Sequence, residues 1–146
     1  MNEFVKVQGK EAVARLLNEF CELFPHIFEK IESLDAYADK INNFANVYAA
    51  RNENGNFGIA VFYANDINEK KAYISLIGIK KEMQGSGQGG WLLSCCEAVA
   101  AENGMTQVLL EVDSDNSTAI RFYEKHGYVF VSHTDRSSMY MKKDLI

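Results

Sequence analysis

Apolar residues recur at helical spacing in the first third of the chain, and strand-like patterns dominate the remaining two thirds. The first periodic segment, Val13 to Phe24, predicts an amphipathic helix. That helix should end at Phe24, because Pro25 cannot continue it cleanly. A second helical region comes next, in which Ser33 is a candidate N-cap for a helix that begins at Leu34.

Short apolar runs bounded by turn residues predict the strands. Asn46 to Arg51 and Phe57 to Ala64 should form a hairpin, since the Asn-Gly pair at 54–55 tolerates positive φ. Further strands are predicted at Ala72–Ile79, Gln107–Val112, Tyr128–His133 and Ser138–Lys142, and further helices at Trp91–Asn103 and Ser117–His126. The strand–loop–helix–strand unit from Ala72 to Val112 should be parallel with a right-handed crossover. We therefore expect an α/β fold with a mixed, mostly antiparallel sheet and helices on both faces.

Composition narrows the class of protein. The chain has 146 residues, of which 47% are apolar and 12% aromatic, as expected of one globular domain over residues 1–146. The net charge of -5 and the lack of a basic block argue against nucleic acid as a partner.

Cysteine and histidine positions bear on compartment and metal binding. Neither residue type shows metal-ligand spacing, so no metal site is expected; the positions are Cys21, Cys95, Cys96, His26, His126 and His133. Reduced thiols on helices fit a cytoplasmic protein. The first ten residues lack the pattern of a secretory signal, and the longest apolar run, Ile59 to Ala64, is too short to cross a membrane.

A glycine-rich segment separates the strand that ends at Ile79 from the helix predicted at Trp91. It consists of Gln84, Gly85, Ser86, Gly87, Gln88, Gly89 and Gly90. A turn of this kind at the start of a helix presents backbone N–H groups at the positive end of the helix dipole, where phosphate binds. The segment therefore predicts a site for a phosphate-bearing cofactor.

Two familiar phosphate-binding motifs fit this segment poorly. Gly85, Gly87 and Gly90 match the spacing of a dinucleotide fingerprint, with Glu111 as its ribose-binding acid. However, a charged stretch separates the strand from the first glycine, a long segment precedes the motif, and too little chain remains after Val112 for a doubly wound sheet. A Walker loop fails because no Gly-Lys-Ser/Thr ends the segment.

A second block of residues begins within the predicted strand at 107–112 and continues past it. It comprises Leu110-Glu111-Val112, Asn116, Ala119, Tyr123 and Gly127-Tyr128. Together with the glycine-rich segment, in this order and spacing, it resembles the GNAT superfamily of acyl-CoA-dependent N-acetyltransferases. The resemblance covers Ala72 to about Thr134, and the first 45 residues match only in the order of their elements.

The resemblance implies how acetyl-CoA is bound. Amides from Gln84 to Gly90 would hold the pyrophosphate, and the backbone of Ile77 and Ile79 would pair with the pantetheine arm between two splayed parallel strands. Asn116 would bind the pantetheine or cap the next helix. Many relatives carry Arg where this chain has Gln84, so a lower affinity for CoA is expected.

The resemblance also implies direct attack of an amine on the acetyl thioester, with backbone N–H groups near Gly78 and Ile79 stabilising the intermediate. Tyr123 would protonate the leaving thiolate, although it could instead be a packing aromatic. Glu111 resembles the base of the ribosomal-protein alanine N-acetyltransferases, although it could be only a polar strand residue. A water chain assisted by Tyr73, Ser75 or His133 is the alternative base.

The resulting prediction is an N-acetyltransferase that uses acetyl-CoA and an amine acceptor, which could be a small molecule, an amino sugar or a protein amine. A different acyl donor or a hydroxyl acceptor would keep the fold. Two other classes stay open: a CoA-binding sensor or interaction module without turnover, and a dinucleotide-binding oxidoreductase. A homodimer paired through an exposed C-terminal strand is possible.

Overall fold

The computed structural model describes residues Met1–Ile146 and contains seven strands and five α-helices. In chain order these are β1 Glu3–Lys6, α1 Lys10–Glu19, α2 Pro25–Lys30, α3 Leu34–Phe44, β2 Asn46–Asn52, β3 Gly55–Tyr63, β4 Lys71–Ile79, α4 Gln88–Glu102, β5 Gln107–Asp113, α5 Ser117–Lys125, β6 Val129–His133 and β7 Ser138–Asp144. Short 3₁₀ turns lie at Cys21–Leu23 and Lys81–Met83. No helix combines the length and the apolar character needed to cross a membrane.

The strands form one mixed sheet in the order β1-β2-β3-β4-β5-β7-β6. The pairs β1–β2, β2–β3, β5–β7 and β6–β7 are antiparallel, whereas β4 and β5 are parallel. This arrangement confirms the predicted mixed, mostly antiparallel α/β fold with one parallel pair.

By their internal contacts, the residues divide into two compact units. Unit 1 contains residues 1–62 and 76–96, and unit 2 contains residues 63–75 and 97–146. The predicted organisation as a single domain over residues 1–146 stays a prediction.

Unit 1 carries helices on both faces of its strands. Val47 and Ala49 of β2 lie in a buried cluster with residues of α1 and α3, such as Leu17 and Ile41. Tyr48 lies between them in the sequence and therefore points to the other face. There it stacks on Phe4 of β1, which meets Trp91 of α4 edge-on at a centroid distance of 6.4 Å.

The start of the chain departs from the prediction in two ways. Glu3–Lys6 forms a strand that the sequence pattern did not indicate. The first helix ends at Glu19 rather than Phe24, and Pro25 begins α2 instead of merely ending a helix. Proline is favourable at the first helical position, because the N–H that it lacks would have no partner there. The predicted cap is confirmed, since Ser33 Oγ accepts from the Ala36 N–H at 2.9 Å.

The parallel ladder is short. It runs from Lys71 opposite Gln107 to Ile74 opposite Leu110. Both strands continue beyond these residues, β4 to Ile79 and β5 to Asp113. Glu111 is thus the first residue of β5 after the ladder, and Ser75 is its counterpart on β4.

Candidate functional site

Two glycines with positive φ lead into α4. Gly85 and Gly87 each have φ 84°, a conformation that residues with a Cβ rarely adopt. No atom lies within 4 Å of where a Cβ would stand at either position. The requirement for glycine is therefore one of backbone conformation rather than crowding.

The N-terminus of α4 offers backbone donors to an anion. The Trp91 N–H donates to the Gly87 carbonyl at 3.2 Å. The amides of Gln88, Gly89 and Gly90 precede this bond and have no acceptor within the helix. The first turn also lacks acidic side chains, so a phosphate group would be favourable here. Helix α4 begins at Gln88, three residues before the predicted start.

Side chains of the glycine-rich segment are engaged within the protein. Gln84 Nε2 donates to the Ile79 carbonyl at 2.9 Å, and Ser86 Oγ donates to the Met83 carbonyl at 2.7 Å. Gln88 Oε1 accepts from Asn2 Nδ2. In this segment, the backbone amides rather than these side chains are therefore suited to bind the pyrophosphate.

The end of β4 is closely packed. A Cβ added to Gly78 would lie 2.8 Å from Phe24 Cζ and 3.1 Å from Leu23 Cδ1. The segment before α2 therefore lies directly on the strand at this glycine. Ile79 is buried and Ile77 half-buried. Because Gln84 already binds the Ile79 carbonyl, a pantetheine arm would compete for it.

Asn116 is the N-cap of α5. Its Oδ1 accepts from the Ala119 N–H at 3.1 Å, which satisfies one of the donors that open the helix. The capping role that the sequence allowed for this residue is therefore observed. The contact of Asn116 with pantetheine stays a prediction.

Tyr123 lies near the C-terminal end of α5 and is half-buried. Its ring meets that of Tyr128 edge-on, with centroids 5.7 Å apart. Tyr128 is itself only 2% exposed, and its hydroxyl donates to Glu97 at 2.8 Å. The Glu97 carboxylate also accepts from Lys143 at 3.0 Å. The ring of Tyr123 therefore rests on a buried, hydrogen-bonded neighbour.

Both carboxylate oxygens of Glu111 are engaged in unit 2. Ser138 Oγ donates to Oε2, and an Nη of Arg136 donates to Oε1 at 3.2 Å. Ser138 is 2% exposed and also shares a hydrogen bond of 2.6 Å with Thr134 Oγ1. The same Arg136 nitrogen reaches Tyr140 Oη at 3.3 Å. The contact with Glu111, together with the smaller effect of that with Tyr140, raises the pKa of Arg136.

The three residues named for a water chain have different surroundings. Burial raises the pKa of Tyr73, and the charge of Glu111 raises it further. Tyr73 therefore shares the electrostatic environment of Glu111. Ser75 is half-buried on β4, whereas His133 is exposed on β6 with its ring against Phe130 at 4.9 Å.

The sequence alone did not point to Arg136 and Ser138. They lie in and just after the turn between β6 and β7, and they reach Glu111 because β5 and β7 pair with Glu111 opposite Tyr140. Ser138 is two residues from Tyr140 and so shares its face. A polar residue just before three apolar residues of the same strand was the available signal, but the partner strand was unknown.

Comparisons with known proteins agree with this architecture. The model of the acetyltransferase (GNAT) family matches residues 13–128. N-alpha-acetyltransferase 30 of Schizosaccharomyces pombe is 25% identical over 77% of each chain. A Bacillus anthracis protein assigned as a streptothricin acetyltransferase, solved with acetyl coenzyme A, is 25% identical, with a TM-score of 0.64 over 74% of this chain and 68% of that one.

A further solved structure covers nearly the whole chain. The PaiA N-acetyltransferase of Thermoplasma acidophilum, in complex with coenzyme A, has a TM-score of 0.77 over 99% of both chains at 21% identity, which supports the fold. Nothing in these comparisons supports a dinucleotide-binding oxidoreductase or a sensor without turnover. The chain belongs to the GNAT acetyltransferase family, which confirms the predicted family, the acyltransferase activity and acetyl-CoA as the cosubstrate.

Proposed function

We propose that the protein acetylates a primary amine by direct attack on acetyl-CoA, with Glu111 as the base and Tyr123 as the acid. The acceptor ammonium first gives a proton to Glu111, which passes it to water, and the neutral amine nitrogen then forms a bond to the thioester carbonyl carbon. The tetrahedral intermediate breaks its C–S bond. The thiolate takes a proton from Tyr123, the phenolate is reprotonated by the second proton that nitrogen loses, and the products are an amide and free CoA thiol.

The observation that carries the cosubstrate assignment is the backbone of the glycine-rich segment. Positive φ at Gly85 and Gly87 and an N-terminus of α4 free of acidic side chains provide amides suited to a pyrophosphate. The bonds that hold Gln84 and Ser86 to nearby carbonyls support a segment that is ordered before CoA binds. This favours binding through reduced ordering entropy.

The environments of the two side chains support different roles in proton transfer. Contact with Arg136 favours the ionised form of Glu111, as a base requires. The ring of Tyr123 lies against the buried ring of Tyr128. A phenol of pKa about 10 can protonate a thiolate as it leaves.

The acceptor is proposed only as a class. The relatives are named for different acceptors, one as an N-alpha-acetyltransferase and one for streptothricin. Their shared chemistry is an amine, and a protein amine, an amino sugar and a small metabolite all provide one. A panel that contains a peptide with a free N-terminus, a lysine peptide with a blocked N-terminus, an aminoglycoside and a polyamine separates these cases.

Binding and turnover test the proposal in sequence. Calorimetric titration should show acetyl-CoA binding and no binding of NADH. Release of CoA thiol across the amine panel then identifies the acceptor class. Failure to bind acetyl-CoA would contradict the role of the glycine-rich segment.

The role of Tyr123 has a matched control in its neighbour. Tyr123→Phe should lower kcat by about 10²- to 10⁴-fold with an unchanged acetyl-CoA Kd. Tyr128→Phe also removes a phenol hydroxyl, here from the adjacent ring, and with it the hydrogen bond to Glu97. It should cost about 1 kcal/mol of stability and leave kcat near its original value. An unchanged kcat for Tyr123→Phe would exclude the tyrosine as the acid.

The cytoplasmic location and the homodimer stay predictions. The last strand, β7, lies between β5 and β6, so the edge strand at this end of the sheet is β6 rather than the C-terminal strand invoked for the dimer. Val129, Phe130 and Val131 of β6 are exposed. If β6 pairs across a dimer, Phe130→Lys should convert the dimer to a monomer in light scattering.

A further inference from the structure

The ion pair between Arg136 and Glu111 has a geometry that another cation could replace. It touches Glu111 through one nitrogen at 3.2 Å, not through the two parallel bonds of a forked arginine–carboxylate pair. Its side chain is 56% exposed, against 26% for Glu111. An exposed contact through a single nitrogen is among the weaker ion pairs, so a competing cation could displace it.

The two carboxylate oxygens differ in how they are held. Oε2 accepts from Ser138, which is buried and bonded in turn to Thr134. Oε1 accepts from the exposed Arg136. Loss of Arg136 would therefore leave the carboxylate anchored in place through Ser138, with Oε1 able to accept from a different donor.

Arg136 has a second anionic partner. Its other terminal nitrogen lies 3.3 Å from Asp135, which is 90% exposed. When the guanidinium leaves Glu111 it keeps a counter-charge beside it, which lowers the cost of the exchange. Two carboxylates and one guanidinium also leave this cluster with one surplus negative charge, which attracts a cation.

We propose that Arg136 binds Oε1 of Glu111 when no acceptor is present, and that the ammonium group of the acceptor displaces Arg136 from this oxygen on binding. The inference rests on the proposed role of Glu111 as the base. It identifies the favoured acceptors as amines that enter as ammonium ions, without an anionic group beside the amine. Arg136 is then a residue that sets acceptor affinity and is not itself catalytic.

Two tyrosines also lie near Glu111. Tyr140 faces it from β7 and Tyr73 from β4. Burial and the charge of Glu111 raise the pKa of Tyr73, so this phenol brings no charge to the cluster near pH 8. Arg136 and Asp135, in the turn between β6 and β7, carry the other charges of this cluster.

Arg136→Gln tests the exchange. At saturating acetyl-CoA and pH near 8, the KM for the amine should fall roughly two- to fivefold, because the competing cation is gone, while kcat stays close to its original value. The acid limb of kcat/KM, its fall at low pH, should move to higher pH, because the carboxylate loses a positive neighbour. Arg136→Lys should move both quantities less.

Arg15→Gln is the matched control. Arg15 is exposed on α1, and the substitution changes net charge by the same amount. It should leave KM and the acid limb unchanged. A rise in the amine KM of Arg136→Gln would overturn the proposal and indicate that Arg136 binds the acceptor directly. An unchanged KM would show that the ion pair does not compete.

Glu111→Gln separates this inference from the proposed function. If Glu111 is the base, this variant loses activity and the acid limb together. If it keeps both, the proposed base is wrong and the inference falls with it. If Glu111→Gln behaves as proposed while Arg136→Gln leaves KM unchanged, only the exchange is refuted.

Discussion

Asn116 offers a prediction that separates stability from cosubstrate binding at one residue. The structure shows Asn116 Oδ1 capping α5 through the Ala119 N–H at 3.1 Å. The resemblance to the GNAT superfamily assigns the same residue to pantetheine. Asn116→Ala removes both functions, whereas Asn116→Ser keeps a capping oxygen and removes the amide group.

The expected changes in Tm and Kd are those of one N-cap hydrogen bond and one hydrogen bond to acetyl-CoA. Loss of an N-cap costs about 1 kcal/mol, and in a chain of this length that lowers Tm by roughly 2–4 °C. Asn116→Ala should show this decrease, and Asn116→Ser should show little of it. If the amide also donates to acetyl-CoA, both variants should weaken Kd by about 2- to 13-fold, the value of one neutral hydrogen bond.

Thermal unfolding and calorimetric titration measure the two effects separately. Ser33→Ala is the matched control, because Ser33 caps α3 through the Ala36 N–H at 2.9 Å. It should lower Tm by a similar amount and leave the acetyl-CoA Kd unchanged. A wild-type acetyl-CoA Kd in Asn116→Ser would show that Asn116 acts only as the N-cap of α5. A wild-type Tm in Asn116→Ala would refute the capping role itself.

Two further predictions concern packing and titration. Gly78→Ala should cost about 1–3 kcal/mol in chemical denaturation, because its Cβ would lie 2.8 Å from Phe24 Cζ. Adding Phe24→Leu should recover part of that loss, and an additive double variant would refute direct contact. Tyr73 should titrate above the ordinary pH of about 10 in ultraviolet spectra, because burial and Glu111 raise its pKa. Its contribution to stability is complete below that pH and is lost as the pH rises through the folded pKa. Because burial also raises the pKa of Tyr63, Tyr73→Phe should reduce the late titration by one tyrosine rather than abolish it. An unchanged late titration would contradict the assigned environment.

Local patterns predicted most of the fold. The Asn-Gly hairpin turn, the Ser33 cap and the crossover from β4 to β5 each depend on residues close in sequence, and each is observed. The prediction of where the first helix ends was wrong for a physical reason. A proline breaks a helix that arrives at it but also begins one readily, and its position alone does not say which happens. Strand β1 escaped notice because four residues carry too little periodicity.

The site was predicted through its motifs but not through its contacts. Glu111, Asn116 and Tyr123 stand in a recognisable block within thirteen residues. The groups that determine the chemistry of Glu111 come from Ser138 and Arg136, more than twenty residues later. They reach it only because β7 returns antiparallel to β5 in one particular register. A shift of one residue would turn Ser138 to the opposite face.

The proposed acid and base are held in different ways, and this bears on how each can vary. The ring of Tyr123 meets that of Tyr128 edge-on. Glu111 is held by hydrogen bonds that fix an oxygen in one direction. A base must meet a particular proton, so the orientation of Glu111 matters for the proposed transfer. The buried Ser138 fixes the orientation of the carboxylate without adding charge. The positive charge beside Glu111 is supplied by the exposed Arg136. In the proposed exchange, this separation of orientation from charge would let the carboxylate stay in place while an incoming amine replaces its cationic partner.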